Sequence, residues 1–311
     1  MTNDTIGVDI SKDHLDAHRM SDSASRRFAN DSVGHRAFIG WLGQPDARIV
    51  YEPTGPYHRA FEQRLAEAGL ALVKVNPRQA RRFAEATGTL AKTDRLDAAM
   101  LARMAALLDL EARPARSPVL NDLKDMHMAR EALVKNRTAA RNRAKNLTLA
   151  ILKRHNGEQL RRIERQIAAI EKEIMALIKT YPDLARRFAI LVTIPGVSAI
   201  TAFALLIDMP ELGTLQSGQA ASLAGLAPVA RQSGNWTGRA FIRGGRANVR
   251  QALYMPALVA MRFNPDLKAK YNQLKAAGKA SKLAITAIMR KLIVLANALL
   301  RDRRKWTASL T

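Results

Sequence analysis

The chain has 311 residues, 48% of them hydrophobic, no cysteine and a formal net charge of +23. That length and apolar content support two domains plus a connector and exclude wholesale disorder. The missing thiols exclude disulfides, thiolate nucleophiles and cysteine-based zinc sites, and fit a reducing cytoplasm.

Charge so far from zero resists compaction unless a polyanion answers it, and DNA or RNA is the commonest such partner. The charge is uneven. Residues 1–110 hold 15 Lys and Arg against 14 Asp and Glu, a balance of +1, whereas residues 111–311 hold 35 against 13, a balance of +22. The first section therefore carries enough acid to do chemistry with it. Its opening, MTNDTIGVDI, lacks the basic and apolar regions of a signal peptide. No stretch of 18 uncharged apolar residues occurs, so no membrane span is expected.

In chain order, Thr5–Asp9 is a short β-rich run ending in an acid, followed by strand-like pieces at Leu15–Met20 and Arg26–Ala29. Arg48–Glu52 is a second run that ends in an acid, and Leu70–Val75 a further one. Helix-like stretches lie around Val33–Leu42, Tyr57–Ala68 and Pro77–Glu85. Strands alternating with helices predict an α/β sheet, and the opening hairpin makes it mixed. Chemistry in such sheets gathers where strands end at their carboxyl edge.

From about Leu120 to Thr180 the pattern is helical, broken once at His155-Asn156-Gly157. Leu160, Ile163, Ile167, Ile170, Ile174 and Leu177 alternate at spacings of three and four, a heptad seam. It suits a helix packed within its own domain, a helical hairpin or an intersubunit coiled coil. The chain is helical again from about Tyr181. Ile194-Pro195-Gly196-Val197 forms a turn before an apolar helix through Leu206, either an ordinary connection or a helix-hairpin-helix whose amides hold a phosphate. Gly and polar residues cluster from Gln232 to Gly245, and helices resume from Val249 to Leu300.

Four acids stand out together. Asp9 and Glu52 each close a strand, so both should project from one edge of the sheet. Asp94 and Asp97 are three apart, which puts both carboxylates on one face of a helix, with Thr93 as its N-cap. Singly, a strand-end acid is usually a solvated terminus and such a pair usually a cap. Jointly, clustered carboxylates repel unless cations neutralise them, and Mg²⁺ takes oxygen ligands while leaving room for phosphate and water. His14 and His18 fall in a strand, where a spacing of four means little, and no zinc-protease or ATP-binding motif occurs. Ser233 precedes Gly234 in a stretch with Arg231, Arg239, Arg243, Arg246 and Arg250. It is either a turn residue or a nucleophile whose phosphodiester the guanidinium groups hold. Lys92, just before the acid pair, is a further basic side chain placed for nucleic acid.

The segments GVDISK (Gly7–Lys12), YEPTGPY (Tyr51–Tyr57), VNPRQARRFA (Val75–Ala84) and AKTDRLDAAMLA (Ala91–Ala102) resemble those of the DEDD transposases of the insertion-sequence family numbered one hundred and ten, which includes the pilin-gene invertases. IPGVSAITA (Ile194–Ala202), LAGLAPVARQSG (Leu223–Gly234) and RQALYMPALVA (Arg250–Ala260) continue the likeness in order. The resemblance implies a RuvC-like (RNase H-type) α/β metal-binding domain over residues 1–110. It further implies a coiled-coil helical connector over 111–180 and a mainly α transposase domain over 181–311. It sets the four Mg²⁺-binding acids on Asp9, Glu52, Asp94 and Asp97, and the nucleophile on Ser233. The implied activity is Mg²⁺-dependent DNA strand cleavage and exchange through a phosphoserine, in a homo-oligomer from dimer to tetramer. A structured guide RNA would choose donor and target DNA. The alternative is a Holliday-junction endonuclease using metal-activated water.

Overall fold

The structure, a computed structural model, describes residues 4–43, 47–53, 55–88, 93–112, 114–115, 117–234 and 236–308. The chain divides into two compact units, Met1–Ser117 and Pro118–Thr311.

The first unit is built on five strands: β1 (Thr5–Ile10), β2 (His14–Arg19), β3 (Ser25–Ala29), β4 (Arg48–Tyr51) and β5 (Ala71–Lys74). Their order in the sheet is β3-β2-β1-β4-β5. β1 lies at the centre, antiparallel to β2 and parallel to β4, so the sheet is mixed, as the hairpin predicted. Side chains alternate across a strand. Ile6, Val8 and Ile10 accordingly enter one core, with Phe38 and Leu42 of α1 (Ser32–Leu42) and Phe61 and Leu65 of α2 (His58–Glu67). On the opposite face Val50 and Val73 meet Ala80 of α3 (Pro77–Ala86) and Leu101, Met104 and Ala105 of α4 (Asp94–Leu107). Side-chain caps start α1, α3 and α4. Asp31 accepts from the Val33 and Gly34 amides, Asn76 from Arg78 ahead of Pro77, and Thr93 from Leu96.

Gly7 decides how closely α4 approaches. A Cβ there would lie 1.9 Å from the Ala98 carbonyl oxygen and 2.7 Å from the Ala102 amide nitrogen, so only glycine lets the helix backbone rest on β1. Gly7→Ala is expected to destabilise this unit by about 1–3 kcal/mol, because backbone rather than a flexible side chain must yield. Urea unfolding would measure it, and an unchanged midpoint would contradict the close approach.

The second unit opens with α5 (Pro118–Ala144) and α6 (Ala150–Thr180), a helical hairpin. Ile163, Ile167 and Ile174 of the heptad seam are buried. Arg130 Nε donates to Glu171 Oε1 at 2.7 Å, and Arg141 Nη2 to Glu164 Oε1 at 2.7 Å, tying the two helices. The break expected at His155-Asn156-Gly157 is not there: α6 runs through it, and the reversal falls at residues 145–149. Asn156 explains why. Its side chain is buried and donates to the Ala140 carbonyl at 3.2 Å across the hairpin, a tertiary bond that outweighs the weak helix preference of Asn-Gly.

The remaining helices are α7 (Pro182–Leu191), α8 (Ala199–Asp208), α9 (Ser217–Leu223), α10 (Ala247–Phe263), α11 (Pro265–Ala276) and α12 (Ser281–Arg301). By length and composition α12 could cross a membrane, but half of its apolar stretch is buried. Ile288, Leu292, Ala296 and Leu299 pack into the same core as α8 and α10. Gly196, in the Ile-Pro-Gly-Val turn, sits against α10, where a Cβ would lie 2.6 Å from the Pro256 carbonyl oxygen. Between α9 and α10, where the sequence shows only clustered Gly and polar residues, the chain forms two short ladders. β6 (Pro228–Val229) pairs with β9 (Phe241–Ile242), and β7 (Gln232–Ser233) with β8 (Trp236–Thr237). The second ladder nests inside the first, so the stretch is a hairpin arm.

Candidate active site

Asp9 follows Gly7 by two residues and so shares the face of β1 that α4 covers. The Thr93 cap starts α4, and Asp94 and Asp97 occupy its first turn, where the helix dipole favours acids. The β1–β4 register runs from Thr5↔Arg48 to Val8↔Tyr51, and one further step sets Glu52 beside Asp9 just past the end of β4. The half-buried Asp9 carboxyl is pushed up to about 6, first by burial and then by Asp94, Asp97, Asp16 and Glu52. Acids distant in the chain thus lie within one another's field.

Asp16 is the acid that sequence reading passed over. It faces Asp9 directly across the β1–β2 pair. Counting outward from the turn at Lys12-Asp13 would have found it, since Asp9 and Asp16 are equidistant from that point. Arg27, on β3, was missed too. Its Nε and Nη2 donate to the two Asp16 carboxylate oxygens at 2.9 Å each, and Nη2 lies 3.4 Å from Asp94 Oδ2. A guanidinium therefore already offsets part of the negative charge at the rim. Behind Glu52, the end of β4 is held by a buried polar cluster. Lys74 Nζ donates to Glu62 Oε2 at 2.8 Å, and burial together with the Glu62 charge pushes the Tyr51 phenol up.

In donor type and charge the acids fit a hard divalent cation, which takes oxygen ligands and relieves crowded carboxylates. Among the described residues no three such side chains already close into a coordination cage. Lys92 lies outside the described residues.

Ser233 sits in the inner ladder of the hairpin arm of the second unit, exposed, directly paired with Trp236. Arg231, Arg239 and Arg243 are exposed along the same arm. The other two arginines are engaged within the chain. Arg250 Nη1 donates to the Gly244 carbonyl at 2.9 Å and the Gly225 carbonyl at 3.3 Å, clamping the root of the arm. Arg246 Nη1 donates to the Asp208 carbonyl at 2.8 Å, and its other nitrogen pairs with Glu211. Glycine is required at that root: a Cβ on Gly245 would lie 2.2 Å from the Gly225 amide nitrogen. The Ala-Gly-Leu and Gly-Gly steps of the sequence are therefore the two sides of one crossing.

Acid gathered at a sheet edge in one unit and a basic helical second unit suit an enzyme acting on DNA, and comparison with known proteins narrows the class to transposases. The DEDD transposase family of the IS110 type matches residues 6–156, and the family described as "Transposase IS116/IS110/IS902 family" matches residues 188–272. The chain belongs to this IS110 family, a recombinase class of enzyme. It is 29% identical to the pilin gene-inverting proteins of Moraxella bovis and Moraxella lacunata over 98% of this chain and 98% of theirs. It is 31% identical to the insertion element IS110 uncharacterized 43.6 kDa protein of Streptomyces coelicolor, over 50% of this chain and 38% of that protein.

Proposed function

We propose that the protein moves its DNA element by serine recombination: Ser233 is the nucleophile and Asp9, Glu52, Asp94 and Asp97 hold Mg²⁺. The observation that carries this reading is the placement of the acids around Asp9: the β1–β4 register sets Glu52 beside it, and α4, seated on Gly7, brings Asp94 and Asp97 in its first turn. Bound there, Mg²⁺ would supply neutralisation of the phosphate and of the charge that builds on it during attack. The strand order, with a hairpin heading a parallel run, supports the RuvC-like reading of the first unit.

The Ser233 oxygen attacks phosphorus, and the P–O bond to one strand end breaks. That oxygen takes up a proton and leaves as a free hydroxyl, while the other end stays on Ser233 as a phosphodiester. Attack by the hydroxyl of the exchanged strand then forms the new P–O bond and returns the proton to Ser233. One ester replaces another at each step, so no ATP is needed, in keeping with a sequence that has no ATP-binding motif. Arg231, Arg239 and Arg243 bind the phosphate oxygens.

The +22 balance of residues 111–311 supports binding of DNA backbones and of a structured guide RNA that selects donor and target. The α5–α6 hairpin serves assembly of a homo-oligomer, dimer to tetramer, in which acids and serine come from different subunits. The experiment is to incubate the protein with a plasmid carrying its gene and flanking DNA, with and without Mg²⁺ and transcripts of the flank. The mixture is then denatured and any protein–DNA adduct recovered. An adduct at Ser233 supports the reading. Cleavage without any adduct would point to hydrolysis by water instead.

A further inference from the structure

We propose that Trp236 is a stacking site for one nucleobase of the cleaved DNA strand, placed beside the scissile phosphate that Ser233 attacks. The proposal rests on the nucleophile reading of Ser233 but stands on separate geometry.

Residues directly paired across an antiparallel ladder project to the same side, with their Cβ atoms about 5 Å apart. Ser233 and Trp236 are such a pair, so the hydroxyl and the indole emerge side by side. Trp236 is 57% exposed, so much of the indole is open to a ligand. It is also held in place. Gly238, two residues on, lies against the outer edge of the ring: a Cβ there would be 2.3 Å from it. The Gly238 amide donates to the Arg231 carbonyl at 2.8 Å, fixing the residue just past β8. The outer edge of the ring therefore abuts bare backbone, while more than half of the side chain stays open to solvent.

An aromatic face of this kind binds any base, because every base offers a π-face. The exposed Arg231, across from Gly238 and on the same side as Ser233, answers the backbone charge. A base parked on Trp236 would hold the adjoining phosphodiester at the neighbouring hydroxyl. Trp236 is then a positioning residue acting on the same strand that Ser233 cuts.

The test uses the full-length protein and two single-stranded probes of equal length and charge: a thymidine oligomer and an oligomer of abasic spacers. Affinity is read by anisotropy and stacking by quenching of indole fluorescence. The wild type should bind the thymidine strand about tenfold more tightly than the abasic one, with quenching. Trp236→Ala should lose that preference while keeping its affinity for the abasic strand, and Trp236→Phe should restore much of it. Gly238→Ala, which lifts the ring from its seat, should weaken the preference without removing an aromatic group. Equal binding of both strands by the wild type, or an undiminished preference in Trp236→Ala, would overturn the proposal. A wild type that prefers bases yet forms no adduct would count against the nucleophile alone and leave the stacking site standing.

Discussion

Ser233→Ala is expected to abolish both the covalent protein–DNA adduct and strand exchange, by at least about a thousandfold, while leaving nucleic-acid affinity unchanged. Ser233 is exposed in a two-residue strand and supports no core, so its hydroxyl can be removed without unfolding anything. The charges that hold nucleic acid belong to other residues, which is why binding should survive. Ser233→Cys is the informative companion. A thiol is a strong nucleophile in its own right, but its larger sulfur would displace the attacking atom, so a slow adduct is expected. Denaturing electrophoresis of labelled DNA, followed by peptide mapping of any adduct, reads both variants. A wild-type adduct mapping to another residue would remove Ser233 from the reaction.

Asp9→Asn is expected to divide stability from activity. In the folded chain Asp9 holds its proton up to a pKa of about 6, against an ordinary value of 3.8. Between those two pH values the folded chain binds more protons than the unfolded one, so stability falls as pH rises through that window. At neutral pH the ionised carboxylate is a net cost to folding. The neutral amide removes it, and Asp9→Asn should be more stable than wild type by about 1 kcal/mol, a figure discounted for partial exposure. The same variant should lose strand exchange, because one of the proposed Mg²⁺ ligands is gone. Added Mg²⁺ should raise the melting temperature of the wild type more than that of the variant, since an ion bound only to the folded form stabilises it by mass action. Melting curves across pH 4 to 7, with and without Mg²⁺, check the sign. An Asp9→Asn protein that is no more stable and still recombines would remove Asp9 from the site.

Much of the first unit was legible from local pattern. The runs Thr5–Asp9 and Arg48–Glu52 are β-rich and end in acid, and both became strands, although β1 runs one residue past Asp9 to Ile10 and β4 stops at Tyr51, one short of Glu52. Thr93 as a cap with acids in the following turn is a property of four adjacent residues, and α4 begins there. Such features rest on short-range sterics and hydrogen bonds that the chain carries wherever it folds.

What stayed hidden depends on partners remote in the chain. Asp16 joins the acids because antiparallel register sets it opposite Asp9, and Arg27 reaches Asp16 and Asp94 because β3 lies beside β2. Asn156-Gly157 looks like a helix break until the Ala140 carbonyl across the hairpin satisfies the buried amide. The glycine-rich stretch after Leu226 reads as a loop, since two-residue strands carry no periodicity. It is an arm because Gly225 and Gly245 let two backbones cross and Arg250 clamps them there. Arg246 and Arg250 accordingly belong to the scaffold, while Arg231, Arg239 and Arg243 stay exposed. The amino-acid types were equal to begin with; which carbonyls came within reach of each guanidinium set them apart.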